Sequence, residues 1–175
     1  MTDAARILPP PTHFELNEFI WPFHEIVVTY GVPSYKEVNP TAFNMVTFPF
    51  LFGLMFGDIG HGFLLFLFAA FLCLRKDHLL ATRPAETFML LKARYLLLLM
   101  GAFATYSGLI YNDMMAMPLN LFGSCYREEE GATHATQQPN CVYPFGIDPK
   151  WYVARNELNY LNSLKMKLAV LYGVT

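Results

Sequence analysis

Three stretches of this chain, residues 41–57, 63–74 and 95–110, contain no Asp, Glu, Lys, Arg or His. A helix at a protein–water boundary keeps a polar face, and these segments have none. The pattern therefore predicts helices that meet lipid rather than water. Residues 41–74 are apolar throughout except for Gly57-Asp58-Ile59-Gly60-His61-Gly62. About 20 helical residues cross a bilayer core, so this block is too long for one upright span and short for two. It is either one strongly tilted helix or a tight two-helix hairpin turning at 57–62. Three glycines around the two ionisable residues favour the hairpin, because glycine suits turns and close approaches.

The flanks complete the outline. Residues 1–40 are polar and mixed, broken by Pro9, Pro10, Pro11, Pro22, Pro33 and Pro40. Within them, residues 18–30 carry apolar positions at helical spacing and predict a short amphipathic helix. Residues 75–93 form a connection, 94–117 a further span, 118–157 a long polar loop, and 158–175 the start of another span. Arg75, Lys76, Arg83, Lys92 and Arg94 make the 75–94 region the densest basic cluster, which the positive-inside rule places in the cytoplasm. The loop 118–157, poorer in basic residues, then lies on the other side. Small residues from Gly101 to Gly108 suit close helix approach in lipid. The fold class expected is an all-α membrane protein with polytopic helices: a short hairpin, a third span, the start of a fourth, and a polar non-cytoplasmic loop.

Composition agrees with that picture. Charged residues are 15% of the chain, hydrophobic residues 54%, and the mean hydropathy is +0.30; soluble domains carry about a quarter charged residues. The N-terminus has neither the apolar core nor the cleavage site of a secretory signal. A net charge of −2 argues against a nucleic-acid partner. Cys73 lies in an apolar run as a small hydrophobe, whereas Cys125 and Cys141 share the polar loop and could pair if it faces an oxidising compartment.

Asp58 and His61 are the first candidates for chemistry, because ionisable groups at bilayer depth are costly and usually mark proton or ion paths. A hairpin moves them to an interfacial turn, where they would cap helix ends, and sets Asn112 and Asp113 on the same side of the membrane. Those four residues could line a proton funnel or stand as ordinary headgroup-level polar groups. Two ligands three apart fall short of a metal site. His13, His24, His78 and His134 are scattered and read as surface residues. No phosphate loop or dinucleotide fingerprint occurs, so no cofactor is expected and the chain should not hydrolyse ATP. Trp21, Trp151, Tyr143 and Tyr152 read as interfacial anchors, and Lys165 and Lys167 as snorkelling lysines.

Several ordered motifs resemble one family. Pro10-Pro11-Thr12-His13-Phe14 comes first, followed by Tyr30-Gly31-Val32-Pro33-Ser34-Tyr35-Lys36-Glu37-Val38-Asn39-Pro40. Then come Thr47-Phe48-Pro49-Phe50-Leu51-Phe52-Gly53-Leu54-Met55-Phe56-Gly57-Asp58-Ile59-Gly60-His61-Gly62 and Gly108-Leu109-Ile110-Tyr111-Asn112-Asp113. Tyr143-Pro144-Phe145-Gly146-Ile147-Asp148-Pro149 and Asn162-Ser163-Leu164-Lys165-Met166-Lys167 close the series. Together they resemble subunit a of the V-type proton ATPases, at the start of its membrane domain. The resemblance implies a share in the membrane stator of a rotary proton pump, in a vacuolar, lysosomal or endosomal membrane. Its implied partners are the proteolipid ring, the other membrane-sector subunits and the bilayer. It also implies a lumenal turn at Asp58, with Asp58 and Asp113 as polar lining rather than a direct relay. The family's essential arginines lie in helices that this chain does not contain, and Arg75 and Arg94 are expected at span ends, so the chain alone should not translocate protons. Two other readings stay open: a non-conducting scaffold or assembly fragment of the same complex, and an unrelated carrier using Asp58 and His61. Inverted repeats would favour the carrier, and none is visible.

Overall fold

The computed structural model describes residues 12–82, 84–128, 135–154 and 156–174. Pro9, Pro10, Pro11, Arg83 and His134 of the sequence reading lie outside them. The chain is helical, with α1 over Trp21–Tyr30, α2 over Thr41–Met55, α3 over Ile59–Leu74, α4 over Lys76–Thr82, α5 over Pro84–Tyr111 and α6 over Glu157–Val174. Two small antiparallel ribbons, Asp113–Met114 with Met117–Pro118 and Tyr126–Glu128 with Ala135–Gln137, precede a 3-10 turn at Pro149–Val153. By length and composition, Phe88–Tyr111 is apolar enough to cross a membrane, while α2 and α3 are shorter apolar helices.

The first hydrophobic block is thus two helices, broken at 56–58. Both pack on α5 far more than on each other. Gly108 lies opposite Ile59 and Gly101 opposite Phe66, so α3 runs antiparallel to α5. Phe50 meets Phe103 at 5.8 Å between ring centroids, and the Tyr111 hydroxyl donates to the Leu54 carbonyl at 2.9 Å. That register makes α2 run alongside α5 in the same direction. The hairpin arms therefore straddle α5, which fills the seam between them. Close approach is possible because glycines face backbone: a Cβ added to Gly108 would stand 2.4 Å from the Ile59 nitrogen. The opposite face of α3, with Phe63, Leu64, Leu67, Phe68 and Phe71 exposed, has no protein partner among the described residues.

The span drawn from sequence over 94–117 differs at both ends. Pro84 opens α5, where its missing N–H would be unsatisfied anyway, so much of the 75–93 connection is helical. Arg94 is consequently inside a helix and 5% exposed. At the other end Asn112 adopts φ +55° and stops the helix. Met115 and Ala116 are also left-handed and turn the following ribbon. The loop 143–148 covers this end: the Ile147 N–H donates to the Ile110 carbonyl at 2.8 Å. Gly146, at φ +78°, allows that contact, since a Cβ there would collide with the Ile110 oxygen. Carbonyls left over at a helix end need such partners.

Candidate functional site

Asp58 is the N-cap of α3. Its Oδ1 accepts from the backbone N–H groups of Gly60 at 2.7 Å, His61 at 3.2 Å and Met115 at 3.1 Å. Its Oδ2 meets His61 Nδ1 at 2.7 Å. One carboxylate thus closes the first turn of α3, pins the ribbon after α5 and orients an imidazole that is 73% exposed. Burial opposes ionisation here. The hydrogen bonds from His61, Met115 and Gly60 outweigh it and hold the carboxyl below the ordinary range.

Asp113 sits nearby in a different environment. It is half-buried, and its Oδ1 accepts from the Ala116 N–H at 3.0 Å. Burial, joined by the negative charge of Asp58, pushes its carboxyl above the ordinary range. Two neighbouring carboxylates are therefore driven apart: one is fixed as an anion, the other sits closer to a protonated state. A group that exchanges protons with water near neutral pH needs the second kind of environment.

Asp58, His61 and Asp113 share a cavity of about 380 Å³ with Phe52, Phe56 and Lys165. Lys165 comes from α6, which packs against α2 with the Tyr172 ring tilted against Phe50, centroids 4.5 Å apart. Its ammonium approaches the Met55 carbonyl at 3.4 Å and lies 4.8 Å from the Tyr111 ring centroid. The sequence reading assigned Lys165 to headgroup snorkelling; its pairing with α2 and α5 spans over 50 residues and leaves no local signal. Asn112 does not line the cavity. It is 1% exposed, and its Nδ2 donates to the Ile147 carbonyl at 2.6 Å, tying the end of α5 to the covering loop.

The loop carries its own fastening. Cys125 and Cys141 are disulfide-bonded, with Cα atoms 5.5 Å apart. Asp148 accepts from the Ser124 hydroxyl at 2.7 Å and from the Cys125 and Lys150 N–H groups, both at 2.9 Å.

A second charged constellation lies at the far end of the helices and was not legible in the sequence. Glu18 accepts from Lys76 Nζ at 2.8 and 2.9 Å and from the Arg94 guanidinium. Arg94 also donates to the Leu91 carbonyl at 2.7 Å. Lys92 rests 4.0 Å from the Trp21 ring centroid. His24, expected at the surface, is half-buried instead, with Nδ1 3.2 Å from the hydroxyl of the fully buried Thr41. These contacts bind α1, and Glu18 just ahead of it, to the starts of α2 and α4 and to α5.

Comparison with known proteins places these features in context. The model of the V-type ATPase 116kDa subunit family matches residues 2–175. The chain is 43% identical over 185 residues to the V-type proton ATPase 116 kDa subunit a1 of Xenopus laevis, covering 94% of the chain and 22% of that relative. It is 47% identical over 167 residues to the vacuolar proton translocating ATPase 100 kDa subunit of Dictyostelium discoideum, covering 94% and 20%. With the V-type proton ATPase 116 kDa subunit a 2 of Bos taurus the identity is 42% over 196 residues, covering 95% and 23%. The chain spans about a fifth of the length of the curated relatives it matches.

Proposed function

This chain belongs to the V-type ATPase 116 kDa subunit family, and from that membership we propose that it forms the first part of the membrane stator of a rotary proton pump. In this reading α2, α3 and α5 cross the membrane, and the turn at 56–58 faces the lumen of a vacuolar, lysosomal or endosomal compartment. The basic connection at Arg75 and Lys76 then lies in the cytoplasm. The proteolipid ring and the remaining membrane-sector subunits are its partners. The disulfide between Cys125 and Cys141 sits on the lumenal side, which suits the redox state of such compartments.

One observation carries the mechanistic part: Asp58, His61, Asp113 and Lys165 converge on a single cavity at the turn between α2 and α3. We assign them different tasks. Asp58, with both oxygens occupied by donors, is a fixed anion that holds α3 and the ribbon in place. Asp113 is the carboxyl suited to take up and release a proton. Lys165 supplies a counter-charge, and His61 lines the rim. Asn112 acts indirectly, by closing the end of α5. The cavity is the rim of a proton exit path rather than its gate.

The test is ATP-driven proton uptake into membrane vesicles containing the assembled pump, with a full-length subunit that carries this segment. Asp113→Asn should lower uptake while ATP hydrolysis and subunit assembly persist. Asp58→Asn should reduce the amount of assembled subunit more than the turnover of what assembles. Normal uptake by an assembled Asp113→Asn pump would remove Asp113 from the path.

A further inference from the structure

The end of the helices remote from Asp58 holds a larger opening that no step above uses. The loop 31–40 folds back over the start of α2 and leaves an open cleft of about 650 Å³. Its apolar walls are Val27 of α1, Val32, Pro33 and Val38 of the loop, and Phe43 of α2. The polar side chains at its edge are mostly committed elsewhere. Asn44 donates to the Phe23 carbonyl at 3.3 Å, and Thr47 donates to the Phe43 carbonyl at 3.0 Å. Glu37 is the one carboxylate in the lining, placed there by accepting from the Ser34 N–H. No cation lines the cleft.

Two features identify what the cleft meets. Phe43 is 69% exposed and Val46 56% exposed on a helix with no charged residue, so in the membrane reading the cleft opens onto a surface suited to lipid. Tyr30 lines the cleft and is 90% exposed, and tyrosine is a residue type that collects at the headgroup level. An occupant has to be apolar along Phe43 and polar at Glu37, which is the division within a single phospholipid. The volume lies within the usual range for small-ligand sites. A carboxylate in a lining that holds no cation favours an ammonium over an anionic headgroup.

We infer that this cleft binds one phospholipid of the adjoining leaflet, with its acyl chain against Val27, Val38 and Phe43 and an amine headgroup on Glu37. The inference rests on the membrane reading of the chain and is independent of the proton path.

The experiment reconstitutes the full chain in nanodiscs of mixed phosphatidylethanolamine and phosphatidylglycerol. A phosphatidylethanolamine probe bears a photoreactive acyl chain, and cross-links are mapped by peptide. Residues 27–47 should be labelled several-fold more than the outward face of α3 at Phe63, Phe68 and Phe71. Two variants fill the cleft without a clash: Gly31→Leu, whose Cβ would meet nothing within 4 Å, and Val38→Trp, at a residue 79% exposed. Both should bring labelling of 27–47 down to the α3 level and leave α3 labelling unchanged. Glu37→Gln should abolish the preference for the ethanolamine probe over a matched glycerol probe. Equal labelling of cleft and α3 in the native chain, or labelling that survives both filling variants, would mean ordinary annular lipid and would overturn the site. A native preference for the glycerol probe would overturn the headgroup assignment.

Discussion

Replacing Gly108 by Ala should separate α3 from α5, and the geometry sets the scale. The new Cβ would stand 2.4 Å from the Ile59 nitrogen and 2.5 Å from the Asp58 carbonyl carbon, whereas ordinary contact begins at 3.4 Å. Both opposing atoms are backbone, so no side chain can swing aside and α3 must retreat by about 1 Å. A gap of that size forfeits about a quarter to a half of each dispersion contact along the seam. In lipid there is little hydrophobic drive to offset the loss, because the association rests on packing itself. Overpacking of this kind costs about 1–3 kcal/mol. Gly101→Ala meets Phe66 backbone at 2.5 Å and should behave alike.

The double variant is the sharper test. Seven residues separate the two glycines, about 10 Å along the helix at 1.5 Å per residue, a distance at which independent sites usually add. A single retreat of α3 relieves both clashes, however, so the double variant should fall short of the sum by about 1 kcal/mol. The assay is reversible unfolding in mixed detergent micelles, followed by the fluorescence of Trp21 and Trp151. Gly173→Ala is the control: nothing stands within 4 Å of its Cβ, and the added methyl should help α6 by up to about 1 kcal/mol. Gly108→Ala unfolding with the control would refute the packing argument. Strict additivity would refute the rigid retreat.

Stability should also depend on pH with opposite signs at the two carboxylates. Asp58 is held below its unfolded value, so its contribution is present above about pH 4 and fades as pH falls through the folded value. Asp58→Ala should therefore cost about 1–2 kcal/mol near neutral pH, typical of a lost N-cap, and progressively less in acid. Asp113 is pushed up by burial and by Asp58, so its ionised form opposes folding at neutral pH and the penalty disappears as it protonates. Asp113→Asn should raise the unfolding midpoint near neutral pH and leave it unchanged below about pH 4; the same micelle assay run across pH reads both. Cys125→Ser should loosen the Tyr126–Glu128 ribbon, seen as faster amide exchange there and a loss of about 2–4 kcal/mol, given a sequence separation of 16; unchanged exchange would show that Asp148 alone holds the loop.

What the residues disclosed, and what they hid, follows the range of the interactions. The helices of the first block show in the sequence because lipid excludes charge from every face at once. The turn at Asp58 shows because a capping Asp before an apolar run is a local signal. The end of α5 does not. Asn112 stops the helix in a left-handed conformation stabilised by Ile147, 35 residues away, and nothing near Asn112 foretells it. The interior position of Arg94 is hidden for the same reason, since its partner Glu18 lies 76 residues upstream. Lys165 joins the cavity only because α6 folds back on α2.

Helix length links the fold to the proposed role of the cavity. At 1.5 Å per residue, α2 is about 22 Å long and α3 about 24 Å, against a hydrocarbon core of about 30 Å. In the proposed topology, that shortfall of about 6–8 Å is met by local thinning of the bilayer or by drawing the polar ends inward. Either way, the N-cap of α3 is carried toward the membrane interior together with whatever it binds. An anion displaced in this direction needs donors or water, and Asp58 has its donors built in. Asp113, with one backbone donor to its Oδ1 and a cavity beside it, depends instead on Lys165, water or a proton. Short helices thus bring an exchangeable carboxyl inward and give water a reason to follow it, while the saturated Asp58 keeps the opening in shape.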